Sequence, residues 1–271
     1  STLTDVVGPR GGNLLYDVLS SPFVIIVVVQ YLSLGIGGVL VVILPLLVLR
    51  HSYAGRQKLA HANRDLLAAL VKAIETRDPY TSGHSIRVAT LAKLIAEDLG
   101  LGLKKVDRVR TAALLHDVGK IDPVYSAVIL KPHSLTPEER ALIQTHATKG
   151  ADILRDMGSM EKELVTAVRH HHEWFDGTGY PDGLRGEDIP LEARIIMMSD
   201  AIDAMLSDRP YRSALSIEKV KSELQRFAGQ QFDPSIVKIV LRAKTLERAV
   251  DLVTEWRGTQ STSDKVLSVL P

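Results

Sequence analysis

The sequence predicts an all-α fold: a helical bundle preceded by a transmembrane helix and a helical linker. Three observations carry that reading. From residue 84 to about 245, apolar residues recur at helical spacing between recognisable helix starts and stops. No strand-like alternation interrupts them. Ahead of this region, Phe23 to Leu49 runs for 27 residues without a charge.

As one helix, the uncharged run would extend roughly 40 Å at 1.5 Å per residue. A bilayer core needs only about 20 residues, so one tilted span fits and two do not. Gly35, Gly37 and Gly38 suit close helix contact in a membrane, and Pro45 is placed to kink the exit. Arg50, Arg56, Lys58 and Arg64 follow the run, whereas only Arg10 precedes it. The positive-inside tendency therefore places everything after residue 50 in the cytoplasm, behind an inner-membrane anchor. Asn13 to Ser20, apolar with one aspartate, is a weaker interfacial segment.

Residues 51–75 then read as a continuous helical linker, with Leu59, Leu66, Leu70 and Ile74 on one face. Such a helix can pair with a second copy as a short coiled coil, giving a homodimer. It can equally pack on its own domain, and Leu67, Val71 and Ile74 thicken its apolar face for that purpose. The main domain covers residues 76–245. Within it, helices are expected from Ser85 to Leu99 and from Lys105 to Leu115. Thr136-Pro137 should cap a helix carrying His146 toward Arg155. Further helices are expected from Lys162 to His172, after Pro190, and after Asp233-Pro234. Residues 246–271 give an amphipathic helix to about Trp256 and a Ser/Thr-rich tail.

Composition narrows the chemistry. A formal net charge of +1 supplies no field that calls for nucleic acid. The absence of cysteine excludes disulfides and thiolate metal ligands. Nine histidines remain, several inside short phrases with aspartate. His116-Asp117 follows the apolar run Ala112 to Leu115, so both side chains can face one site. Asp117 offers a carboxylate able to bridge two metals, and the adjacent Lys120 a cation for a phosphate oxygen. Asp200 lies in an apolar helix, where a carboxylate is costly unless paired or metal-bound. Asp203, one turn on, is placed to orient a ligand. His170, His171 and His172 form a run of three, from which spacing alone cannot choose two. Lone histidines such as His84 and His146 are more often structural than ligating. Arg209 and Arg212 offer guanidinium groups suited to phosphate or guanine.

The order of these phrases resembles the HD-GYP family of cyclic di-GMP phosphodiesterases, from about Thr76 to Leu241. The likeness is carried by Arg77-Asp78-Pro79-Tyr80-Thr81-Ser82-Gly83-His84-Ser85, His116-Asp117-Val118-Gly119-Lys120, Thr145-His146, His171-His172-Glu173, Gly179-Tyr180-Pro181, Asp208-Arg209-Pro210-Tyr211-Arg212 and Gln231-Phe232-Asp233-Pro234. The resemblance implies metal ligands His84, His116, Asp117, His146, His171, His172 and Asp200, with Asp117 bridging. It selects the histidine pair that directly precedes Glu173. It also implies that Lys120, Tyr180, Arg209 and Arg212 hold or enclose substrate.

Some family members carry a glutamate one helical turn before the first histidine, which helps bind a third metal. Here Tyr80 stands there, so two metals are expected. Mixed histidine and carboxylate ligation suits iron or manganese better than magnesium. Trp174-Phe175 also departs from the more polar family pattern, at the pocket rim. The reading is thus a membrane-anchored phosphodiesterase that hydrolyses cyclic di-GMP to pGpG and on toward GMP. Its alternatives are a hydrolase of another nucleotide, such as a mixed cyclic dinucleotide, and a non-catalytic receptor.

Overall fold

The computed structural model describes residues 11–77, 83–125, 128, 131, 135–158, 160–208 and 213–257. The chain divides into two compact units, Ser1–Asn63 and Arg64–Pro271. Among the described residues there is no strand, only an isolated bridge between Ala228 and Phe232.

The first unit holds α1 (Gly11–Leu34) and the opening of α2 (Ile36–Arg77). The uncharged run is therefore not one helix. It breaks at Gly35, whose φ of 60° is open to glycine at little steric cost. The chain turns sharply enough that a side chain at Gly38 would run into the Gln30 carbonyl. Ile36–Gly55 remains long and apolar enough to cross a membrane, and only 6% of its most apolar window is buried. Phe23–Leu34 is a shorter apolar helix. Pro45 lies inside α2 without ending it.

In the second unit, the end of α2 places Leu67 and Val71 in the hydrophobic core. The linker's apolar face is covered by its own domain over that turn, as one of the two readings expected. The core is then built by α3 (His84–Asp98), α4 (Leu103–Leu115), α6 (His146–Asp156), α7 (Lys162–Arg169), α8 (Leu191–Leu206), α9 (Ile217–Arg226), α10 (Pro234–Arg242) and α11 (Thr245–Arg257), while the short α5 (Pro137–Gln144) contributes no buried residue. Ile86, Leu91 and Ile95 of α3 meet Leu114 and Leu115 of α4 and Ile195, Met198 and Ile202 of α8 in one cluster, all at most 2% exposed. Full burial of each such side chain is worth about 1.5–3 kcal/mol.

Two helices are shorter than the sequence suggests. The segment after Thr136 breaks at Thr145 instead of running through His146. Thr136 caps this helix as expected, and does so in a capping box with Glu139. Thr145 then turns its hydroxyl onto the Leu142 carbonyl (2.7 Å) and meets the Tyr125 hydroxyl (2.7 Å). Such local back-bonding competes with helix continuation. His146 consequently sits at the first position of a new helix. The helix after Lys162 likewise ends at Arg169, and the three histidines occupy the turn that follows. Pro190 and Asp233-Pro234 open α8 and α10 as expected, with Asp233 accepting from the Ser235 N–H.

Candidate metal centre

Five elements each bring polar groups to one buried place. α3 supplies His84 at its first turn, and the end of α4 with the 3₁₀ turn Val118–Ile121 supplies His116, Asp117 and Lys120. α6 starts with His146, the turn after α7 carries His171 and His172, and α8 carries Asp200 and Asp203. Gly119 makes this approach possible, since any side chain there would meet the His146 carbonyl. His84, His116, Asp117, His146 and His171 are all buried, and the Asp200 side chain is 22% exposed.

The histidines are oriented by their outer nitrogens. Nδ1 of His116, His146 and His171 donates to the carbonyls of Ala113, Ile143 and Val168, each at 2.6 Å. With Nδ1 protonated in a neutral ring, Nε2 carries the lone pair. Those lone pairs face one another. Nε2 of His146 lies 3.3 Å from Nε2 of His171 and 3.3 Å from Asp117 Oδ1. Asp117 Oδ1 is buried without a well-formed hydrogen bond. His116 Nε2 stands 3.5 Å from Asp117 Oδ2, and His84 Nε2 3.4 Å from Asp200 Oδ1. Acceptors pressed together out of water repel unless a cation sits between them. The residues therefore fit metal ions, as two neighbouring sets: His146, His171 and His172, and His84, His116 and Asp117.

At His116, His171 and His172 the electrostatics agree with this, whereas at His84 burial is outweighed by Asp203, with Asp200 and Asp117, and the ring is raised. Burial, reinforced by neighbouring imidazoles, holds His171 and His172 well below the ordinary histidine value. His116 is also lowered, chiefly by burial. Neutral imidazoles are the ligating form. Burial would raise the Asp117 carboxyl, but Lys120 and the flanking histidines hold it well below the usual carboxylate range. Lys120 Nζ reaches Asp117 Oδ2 at 2.7 Å.

Asp203 holds His84 from behind, accepting from Nδ1 at 2.8 Å, the orienting role expected from its spacing. Arg87 clamps the same carboxylate through Nε at 2.6 Å and Nη2 at 3.0 Å. Burial opposes this charge, yet His84 and Arg87 bring Asp203 down to about 2. Arg87 escaped the sequence reading, although its position one turn after His84 was a usable signal.

Tyr180 lies against His172, with ring centroids 4.8 Å apart, and burial pushes its phenol well above the ordinary value. The loop bearing Tyr180 is fastened by Glu173 and His170, to which the sequence reading assigned no such role, and by Asp182 and Arg169, which it did not single out. Glu173 is buried and accepts from the N–H groups of Asp182, Gly183 and Leu184 at 2.7, 3.1 and 3.1 Å. Asp182 in turn accepts from Arg169 twice, at 2.9 and 2.8 Å, and meets His170 Nε2 at 2.8 Å. His170, the odd member of the triple histidine, thus faces away from the Nε2 cluster, and its Nδ1 meets the Thr166 carbonyl. The candidates Arg209 and Arg212, and Tyr80 at the third-metal position, lie outside the described residues.

Residues 68–236 match the model of the HD domain family. The chain belongs to this family. The resemblance to its HD-GYP branch read from the sequence holds. The response regulator RpfG of Xanthomonas campestris pv. campestris (strain 8004), a cyclic di-GMP phosphodiesterase, is 40% identical over 70% of this chain and 50% of its own. The 3'3'-cGAMP-specific phosphodiesterase 3 of Vibrio cholerae is 37% identical over 74% of this chain and 42% of its own. A cyclic di-GMP phosphodiesterase of Thermotoga maritima is 35% identical over 73% and 53%. The HD domain chain thus spans about half the length of these curated relatives. The crystal structure of a cyclic GMP-AMP-specific phosphodiesterase of V. cholerae shares the fold, with a TM-score of 0.55 and 23% identity over 77% of this chain and 54% of that one.

Proposed function

We propose that this HD domain is a metal-dependent phosphodiesterase acting on cyclic di-GMP. The reading rests chiefly on the facing lone pairs of His146, His171 and Asp117, together with relatives named for cyclic dinucleotide hydrolysis. His84, His116, Asp117, His146, His171, His172 and Asp200 would hold two divalent metals. Iron or manganese suits this donor set. Bound there, the pair supplies Lewis acidity toward the phosphodiester and the attacking water.

The rest of the work falls to the protein. Lys120 sits within reach of the Asp117 carboxylate and so beside the place where a phosphoryl oxygen would lie. There its ammonium can stabilise the negative charge that grows in the transition state. Tyr180 keeps its proton and can donate to the same phosphate. Arg209 and Arg212 are proposed to hold substrate from the neighbouring loop. The product is pGpG, which still carries a diester that the same site can cut to GMP. The chain is anchored through Ile36–Gly55 in the cytoplasmic membrane, with this domain in the cytoplasm, and it acts as a homodimer.

A second reading is supported by the V. cholerae relatives named for 3'3'-cGAMP: a mixed guanine-adenine substrate. Manganese- or iron-loaded protein should be incubated with cyclic di-GMP, 3'3'-cGAMP and cyclic di-AMP, and products resolved by chromatography. Turnover of cyclic di-GMP to pGpG is expected. Preferred cleavage of 3'3'-cGAMP would move the assignment to the second reading. Fully metal-loaded protein that cleaves none of the three would remove both.

A further inference from the structure

A cavity of about 580 Å³ opens beside the metal centre, within the ordinary size range for a small-molecule site. Its lining includes His172, Asp200 and Tyr180, so it is continuous with the groups that would hold metal and phosphate. The remaining walls differ in kind. Trp174 and Phe227 offer aromatic faces, and Glu223 and Gln231 are polar groups among apolar ones. Aromatic walls with a few placed hydrogen-bonding groups are how a protein reads an extruded nucleobase.

The polar groups are available. Glu223 is 19% exposed at its side chain, and its ionic partners are Lys219 at 3.3 Å and Arg226 at 3.8 Å. Both partners project into solvent, 58% and 70% exposed. Pairs of that kind hold weakly and yield to a better-placed donor. Gln231 donates to the sulfur of Met197 at 3.3 Å, a poor acceptor that a ligand can replace. Its backbone is pinned to the turn after Trp174: Phe175 N–H meets the Gln231 carbonyl at 3.3 Å and Asp176 N–H the Gln230 carbonyl at 2.8 Å. The cavity is thus built on braced elements, as a recognising site requires.

From this geometry we infer that the cavity is a guanine-reading subsite in which Glu223 selects guanine over adenine. The inference rests on the cyclic dinucleotide phosphodiesterase reading. Guanine presents two adjacent donors on its Watson–Crick edge, N1–H and the N2 amino group, which match the two oxygens of one carboxylate. Adenine presents a donor at N6 beside the bare acceptor N1, which a carboxylate repels. Trp174 and Phe227 supply stacking that does not depend on base identity. A carboxamide at position 223 would instead suit adenine, accepting from N6 and donating to N1, as Gln pairs with adenine elsewhere.

The test compares cyclic di-GMP with cyclic di-AMP on wild type, Glu223→Gln and Glu223→Ala, with kcat/KM measured on metal-loaded protein and Kd on EDTA-treated protein. A lost charge-assisted hydrogen bond should lower the guanine-to-adenine ratio about tenfold or more in both variants. Only Glu223→Gln should raise adenine binding. Metal content and melting temperature should stay near wild type, because the ionic partners of Glu223 are exposed. An unchanged ratio in folded, active variants overturns the subsite, while cyclic di-GMP hydrolysis by wild type would leave the phosphodiesterase reading standing. Conversely, Glu223-dependent binding of cyclic di-GMP by wild type that cleaves nothing supports the subsite and removes the hydrolase reading. Equal affinity of wild type for the two nucleotides also overturns it.

Discussion

At the residue scale, Asp117 and Lys120 lie 2.7 Å apart, yet they should fail in different ways. Asp117 is a buried carboxylate whose Oδ1 faces imidazole lone pairs, so it belongs to the proposed metals. Lys120 is a cation and cannot ligate one. Asp117→Ala should lose metal and turnover together, by elemental analysis and product formation. Lys120→Ala should keep its metals and lower turnover by about a hundredfold, the usual effect of removing one preorganised transition-state donor. Metal loss in Lys120→Ala would make the lysine structural, and near-normal turnover would make it a solvated helix-end residue. From the residues alone, His116-Asp117 and Asp200 stood out, as polar groups in apolar surroundings, whereas the full set of His84, His116, Asp117, His146, His171, His172 and Asp200 was named by the family resemblance. Spacing alone could not divide the triple histidine. The structure divides it by hydrogen bonding: His171 Nδ1 meets its own turn's carbonyl, whereas His170 Nε2 meets Asp182.

At the element scale, helix identities and most helix starts followed from periodicity and capping residues, but two C-terminal ends did not. Thr145 interrupts its helix through a side-chain bond to Leu142 and a contact with Tyr125, a residue twenty positions earlier that no local pattern announces. The loop carrying Tyr180 was legible as a phrase, but its fastening was not, because Glu173 acts on backbone N–H groups nine to eleven residues away. Glu173→Ala would take a buried carboxylate from three part-buried backbone N–H groups and should cost about 1–3 kcal/mol, read as a lower melting temperature. Cyclic dinucleotide turnover should fall with it as Tyr180 loses its place, and a variant matching wild type in both would show the clasp to be idle. Acid should weaken the second tie. The Arg169 hydrogen bonds, with help from His170, lower Asp182 to about 2 from an ordinary 3.8. A depressed carboxyl stabilises the fold above its unfolded value, and that contribution disappears as pH falls from about 4 toward 2. The melting difference between wild type and Asp182→Asn should therefore be present above pH 4 and close below it. A gap that widens in acid would have the wrong sign for this pair.

At the scale of the whole molecule, the proposed membrane anchor lies in the first unit. The uncharged run suggested one tilted span over residues 23–49, which would put Asn13 and Ser52 on opposite sides. On the break at Gly35 and the closeness of Gly38 to the Gln30 carbonyl we predict a helical hairpin in its place. Ile36–Gly55 is long and apolar enough to cross, whereas the described apolar stretch of α1 is the shorter Phe23–Leu34, so a return across a bilayer core of about 30 Å would have to take in residues before Phe23, Asp17 among them. Exposed apolar side chains line both arms, from Phe23 to Leu49. In a hairpin, both ends of the membrane segment would share the side of the Arg50, Arg56, Lys58 cluster, which the positive-inside tendency places in the cytoplasm. Because the chain has no cysteine, single-cysteine variants report position without background. Asn13→Cys and Ser52→Cys should both react with an impermeant maleimide only after the cytoplasmic membrane is opened. The protein should resist salt and carbonate extraction and yield to detergent. Labelling of Asn13→Cys in intact spheroplasts, with Ser52→Cys protected, would restore the single span. Release of the protein by salt would remove the anchor altogether.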